Sequence, residues 1–209
     1  MARHPLTNAF FEWHARRISA PRVTRIAEAF ARRIGKADSL LDVGAGDGAT
    51  AATTAALVGA SRVLGVDVLV QPRAAISIAP YDGDTLPFPD GEFDVVLLSD
   101  VLHHAQDPAR VLGEALRVAR RAVALKDHFR FGPLSAAVLY AMDRVGNAAS
   151  GVSSPGTYFS KAEWIDLVRS AGGRIESIEW PLRIHDAPFR YVTRDEYQFA
   201  AAVVRRDPT

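Results

Sequence analysis

The chain has 209 residues, 48% of them hydrophobic and 23% charged, with a formal net charge of +1. That length suits one domain with a sizeable core, and the near-neutral balance gives no global electrostatic case for nucleic acid or a membrane surface. With no cysteine present, disulfides, thiolate metal sites and a cysteine nucleophile are excluded.

No apolar run reaches membrane-spanning length, and the first residues lead into no signal-peptide core. The expectation is one cytoplasmic domain over 1–209. Residues 8–36 have helical periodicity, with Val23, Ile26, Ala27, Phe30 and Ile34 on one face. The segment 1–37 therefore reads as helical. Its aromatic cluster Phe10-Phe11-Glu12-Trp13-His14 either packs on the core or forms a lid over a site. The paired arginines, such as Arg32-Arg33 and Arg120-Arg121, are spread along the chain and read as solvated faces.

Leu40, Leu41 and Val43 read as the end of a buried parallel strand, and the Ala/Thr run from Ala49 to residue 59 as a helix. Between them Gly44, Gly46 and Gly48 alternate, which lets the backbone turn sharply and a ligand lie against it. Gly44-x-Gly46-x-x-Ala49 also satisfies a loose dinucleotide fingerprint. Asp42 argues otherwise, because a carboxylate at the strand's carboxyl end repels a pyrophosphate and welcomes an amino group or a sulfonium.

A second strand, Arg62 to Asp67, ends in an acid about 20 residues past the glycines, where a carboxylate accepts from ribose hydroxyls. Residues 68–77 are too few for a full crossover helix, so a single turn or an irregular loop is expected. A third strand spans Ile76 to Tyr81, and a fourth, fully buried one spans Val95 to Leu98. Asp107 and Pro108 cap and open a helix running to Arg121. A fifth strand, Ala122 to His128, ends in Asp127 and His128, at the edge where open α/β sheets bind ligands. The span 129–160 is an irregular insertion with a helical piece from Leu134 to Val145. Ser160 and Glu163 have capping-box spacing, and Arg174–Trp180 and Glu196–Arg205 read as a closing antiparallel pair.

Three stretches carry a resemblance. Asp42-x-Gly44-x-Gly46-x-Gly48 resembles the first motif of class I S-adenosylmethionine-dependent methyltransferases. The run from Asp82 through Leu86-Pro87-Phe88, Asp90 and Phe93-Asp94 resembles that family's D-x-x-x-L-P-F-x-D-x-x-F-D segment. Ser99-x-Val101-Leu102-His103-His104-x-x-Asp107-Pro108 is similar to its post-strand motif. The likeness is strongest over 40–108 and weakest over 129–158, and points to the small-molecule, methyltransferase 11-type branch.

The resemblance implies a Rossmann-like α/β fold: a doubly wound, mostly parallel seven-stranded sheet with an antiparallel C-terminal strand. It implies S-adenosyl-L-methionine as cofactor, held by Asp42, Gly44, Gly46, Asp67, Asp82, Gly83 and Ser99. Asp67 would take the ribose, Asp82 and Gly83 the adenine, and Ser99 the methionine part. The partner implied is a small-molecule methyl acceptor, with neither nucleic acid nor a membrane expected; the Asn/Asp-Pro-Pro-aromatic motif of DNA-amine methyltransferases is missing. Candidate bases are His103, His128 and Asp127, since a hydroxyl or amine acceptor loses a proton; His104 reads as the packing member of its pair. No metal is expected, because Asp100, Asp127 and His128 offer ligands without a spacing signature. The alternatives are a catalytically idle cofactor- or partner-binding relative and an NAD-type dinucleotide-binding protein. The acceptor, the atom methylated and the oligomeric state are not legible.

Overall fold

A computed structural model describes residues 15–146 and 157–206. The aromatic cluster Phe10–His14 and the Gly/Ser/Pro-rich run 150–156 fall outside these residues. Seven strands form one sheet: β1 (Ser39–Val43), β2 (Arg62–Asp67), β3 (Ile78–Pro80), β4 (Phe93–Ser99), β5 (Ala119–His128), β6 (Gly173–Glu179) and β7 (Gln198–Arg205). Their spatial order is β3-β2-β1-β4-β5-β7-β6. β1 to β5 pair in parallel and β7 runs antiparallel to both β5 and β6. The order reverses between β1 and β4, and the carboxyl ends of strands at such a switch point open the crevice where α/β sheets bind ligands.

The sheet is covered on both faces, and strand periodicity decides which residue goes where. Leu40, Val95, Leu97 and Ala124 point to one face, against Ile26, Phe30 and Ile34 of α1 (Ala20–Ile34) and Ala51, Ala55 and Val58 of α2 (Ala49–Val58). Leu41, Val43, Val96, Leu98 and Val123 point to the other, against Val111, Leu112 and Leu116 of α3 (Pro108–Val118) and Trp164 and Val168 of α5 (Lys161–Ser170). The continuous apolar runs follow from this two-sided burial. Each fully buried Leu or Phe contributes roughly 1.5–3 kcal/mol over its exposed state. Between β5 and α5 lies α4 (Pro133–Gly146), and a short α6 (Phe189–Val192) precedes β7.

Local signals hold where they rest on backbone chemistry. Asp107 accepts from the Arg110 amide at 3.0 Å, and Ser160 with Glu163 forms the reciprocal capping box. The link from β2 to β3 contains no helix. The helix expected to run to Arg121 instead stops at Val118, because Ala119 is already extended and opens β5. Of the paired arginines, Arg32, Arg120, Arg121, Arg205 and Arg206 are exposed, as expected, and Arg33 is the exception. Arg33 holds Glu179 at 2.8 Å with its side chain 10% exposed. Arg205 donates to the carbonyls of Leu116, Arg117 and Ala119, satisfying the end of α3 that would otherwise lack partners. Among the described residues no helix is long and apolar enough to cross a membrane.

Candidate functional site

The turn after β1 places all three glycines at positive φ, between 58° and 73°. Two of them answer to different constraints. A Cβ on Gly44 would come within 2.7 Å of Val101 Cγ2, so close packing of the turn on the β4 loop forbids a side chain there. A Cβ on Gly46 would meet nothing within 4 Å, because Gly46 opens into a cleft. Asp67, at the end of β2, accepts the Gly46 amide at 2.8 Å through Oδ2 and the Leu69 amide at 2.9 Å through Oδ1. The turn is thus tied to the neighbouring strand by a charge-assisted bond.

The cleft has a volume of about 760 Å³ and lies across the carboxyl ends of β1 to β4. One side carries Gly44, Gly46 and Asp67, then Val68, Leu69 and Tyr81 as apolar wall, then Asp82, Gly83 and Asp84. Asp82 Oδ1 accepts the amides of Asp84 and Thr85, each at 2.9 Å, which holds its carboxyl below the ordinary range. Burial, and then the charges of Asp67, Asp82 and Asp84, push the Tyr81 phenol up to about 12, so it stays neutral. The other side carries Asp100, Val101, His104 and Arg110.

Two sequence candidates sit elsewhere than expected. Asp42 is buried beneath the turn rather than facing the cleft. Burial, with Asp67 and Asp47 adding to it, pushes its carboxyl up to about 8, so it carries little charge at neutral pH in the free protein. Ser99 ends β4 in register with Lys126 and does not line the cleft.

Behind the second side lies a network of paired charges. Asp100, at φ 59° just past β4, receives the Lys126 ammonium on both oxygens at 2.6 and 2.8 Å and Arg22 Nη2 at 2.6 Å. Lys126 is fully buried. Burial alone would raise the Asp100 carboxyl, but Lys126, His128 and Arg22 outweigh it and hold it well below the ordinary range. Asp127, also fully buried, takes His103 Nδ1 at 2.7 Å and the His128 amide at 2.8 Å on Oδ1. His103 Nε2 lies 3.3 Å from Asp143 of α4, which in turn accepts the Tyr158 hydroxyl.

His103, Asp127 and His128 are therefore brought together, as their positions after β4 and within β5 imply, but under the cleft wall. Burial would lower His103, yet Asp127 and Asp143 raise it to about 10, so its ring is an imidazolium at neutral pH and unable to act as a base. His128 is pushed down by burial and by Lys126, and His104 by burial and by His103. The packing and exposed members of the histidine pair are reversed: His103 is 1% exposed, and His104 lines the cleft. The one-turn helix Leu102–His104 turns the first ring inward and the second outward. Lys126, Asp143 and Arg22 escaped the sequence reading. A lysine inside the apolar run of β5 was the one available signal, since such a charge needs a buried partner.

Comparison with known proteins bears on the whole arrangement. Residues 41–125 match a family described as a methyltransferase domain. Over 94 residues the chain is 38% identical to an uncharacterized 37.1 kDa protein of a transposon from Streptomyces fradiae; the match takes in 40% of this chain and 27% of that protein. The chain thus spans little more than a quarter of that relative. The fold is similar to the methyltransferase solved in complex with the Trm112 methyltransferase activator of Haloferax volcanii (TM-score 0.69, 18% identity, 96% of this chain and 97% of that one). It is also similar to a SAM-dependent methyltransferase from Thermotoga maritima (TM-score 0.61, 17% identity, 96% of each chain). The fold as a whole, and the motif-bearing residues 41–125 within it, are thus similar to those of S-adenosylmethionine-dependent methyltransferases.

Proposed function

We propose that this chain, as one domain, transfers a methyl group from S-adenosylmethionine to a small-molecule acceptor. The observation that carries the reading is the Gly46 opening. A backbone amide anchored by Asp67 borders open space, beside an apolar wall that ends in Asp82 and Gly83. That sequence of groups fits a nucleoside joined to an amino acid. Gly44 and Gly46 would lie against the methionine part, Asp67 would accept from the ribose hydroxyls, and Asp82 with Gly83 would hold the adenine edge. Asp42 and Ser99 would support the turn and the β4 end from below. Val68, Leu69 and Tyr81 would exclude water from the base.

The cofactor supplies an electrophilic sulfonium methyl, which the acceptor's lone pair attacks in line while the C–S electron pair leaves with sulfur. The chain's residues align the two partners and keep water out, effects that can supply much of the barrier reduction. His104, neutral and at the cleft wall, borders the acceptor end. His103, Asp127 and His128 act from behind it as positioning residues. Asp143 of α4 stands behind His103 in the same role.

The test is a thermal-shift series with S-adenosylmethionine, S-adenosylhomocysteine and NAD. A ligand that binds only the folded state raises the melting temperature with concentration. Stabilisation by the first two and not by NAD is expected. A shift with NAD alone would return the site to the dinucleotide reading, and no shift with any of the three would remove the cofactor assignment.

A further inference from the structure

His103 and His104 sit next to each other on a single helical turn, with ring centroids 4.0 Å apart. One nitrogen of His103 is occupied, since Nδ1 meets Asp127 Oδ1 at 2.7 Å. Its Nε2 lies 3.3 Å from Asp143 Oδ2, and Nδ1 of His104 is buried with no hydrogen-bond partner. A buried polar atom left without a partner costs about 1–3 kcal/mol. A nitrogen of each ring and a carboxylate oxygen of Asp143 come together here, all within 4.8 Å of one another.

We propose that His103, His104 and Asp143 form a binding site for one divalent first-row transition cation at the acceptor end of the cleft. Two imidazole nitrogens and one carboxylate oxygen are a donor set suited to Fe(II), Co(II), Ni(II) or Zn(II), with further positions left open. The surroundings match what such a site needs. Asp127 orients the His103 ring from behind through Nδ1, as the outer carboxylate of a histidine-bound metal does, and the ion would replace the proton on Nε2. Tyr158 holds Asp143 through its hydroxyl.

A neighbouring set, Asp100, His103, Asp127 and His128, also lies within 4.8 Å. It is filled differently, because the Lys126 ammonium and the Arg22 guanidinium already rest on Asp100. Because His104 lines the cleft while its Nδ1 is buried, an ion on the triad would hold that ring from behind and fix the wall at the acceptor end. That positioning role rests on the methyl-transfer reading; the ion site itself does not.

The experiment titrates the untagged full chain with Co²⁺, follows the visible d–d absorption, and displaces the ion with Zn²⁺. One equivalent is expected to bind. Because His103 is fully buried, the variants are His104→Ala and Asp143→Asn, with circular dichroism to check their folding. Each should weaken Co²⁺ binding at least about tenfold, the scale on which even outer-shell changes act. Asp67→Ala should keep Co²⁺ binding while losing affinity for S-adenosylmethionine, which separates failure of the ion site from failure of the cofactor reading. No saturable Co²⁺ absorption, or equal affinity in the parent and both folded variants, would overturn the proposal.

Discussion

The two ends of the cleft are built on different principles. At the β1–β3 end the recognising groups are backbone amides and solvated carboxylates. Asp67 and Asp82 are each pinned by neighbouring N–H groups. At the β4–β5 end the groups are buried charges that neutralise one another, with Lys126 and Arg22 on Asp100 and His103 between Asp127 and Asp143. Changing the first end should alter ligand binding and leave the fold intact. Changing the second should strike the fold itself, because removing one partner strands a charge away from water.

Lys126→Met is the strongest way to break this contrast. It leaves Asp100 with Arg22 and, at 3.5 Å, His128 Nδ1, on a chain already held at φ 59°. The expected cost is about 3–5 kcal/mol, the usual penalty for removing one member of a buried pair, read as a lower urea midpoint. A variant as stable as the parent would mean that water reaches Asp100. Gly46→Val is the matching change at the other end. The side chain enters the cleft, where nothing stands within 4 Å, and the positive φ adds roughly 1–2 kcal/mol of strain. Affinity for S-adenosylmethionine should fall about 100-fold or more, roughly 2.7 kcal/mol, while circular dichroism reports a folded chain. Tight binding by the folded variant would remove Gly46 from the site.

The same division explains what could be read in the sequence. The β1–β3 end is encoded locally: glycines at alternate positions, an acid at each of two strand ends, and a loop too short for a helix. Those features fix backbone conformation, so β2 and α2 were legible nearly to the residue. The β4–β5 end depends on partners 24 to 78 positions apart, such as His103 with Asp127 and Arg22 with Asp100. No spacing rule announces such pairs. Asp42 shows the limit even within a motif, since the motif places the residue but not its burial. The end of α3 was misjudged for a similar reason: Arg120 and Arg121 have good helix propensity, and sheet pairing with β4 overrides it.

Asp67→Ala sharpens the comparison with a smaller effect. The variant removes an acceptor for the ribose hydroxyls and releases the Gly46 and Leu69 amides. A hydrogen bond to a charged group is worth about 1.5–3 kcal/mol, so calorimetry should record a roughly 10- to 150-fold weaker dissociation constant, with the urea midpoint little changed. An unchanged constant would place Asp67 outside the ligand contact.

The smallest expected effect tests Asp42, the one buried acid at the backbone-built end. Its carboxyl is pushed from near 3.8 in the unfolded chain up to about 8 in the folded one. The folded state therefore holds this proton more tightly, and the stability it contributes is fully present below pH 3.8. Between there and pH 8 the unfolded chain ionises while the folded chain must either stay protonated or bury a charge, so that stability drains away as pH rises. Asp42→Asn keeps the shape and removes the titration. Urea unfolding of parent and variant at pH 5 and pH 8 isolates this group, because the other titrations are common to both. The variant's stability relative to the parent should be greater at pH 8 than at pH 5 by about 1 kcal/mol or more, the value of a single pKa unit being 1.36. An equal difference at the two pH values would mean that Asp42 ionises normally, and the backbone-built end would then hold solvated charge throughout.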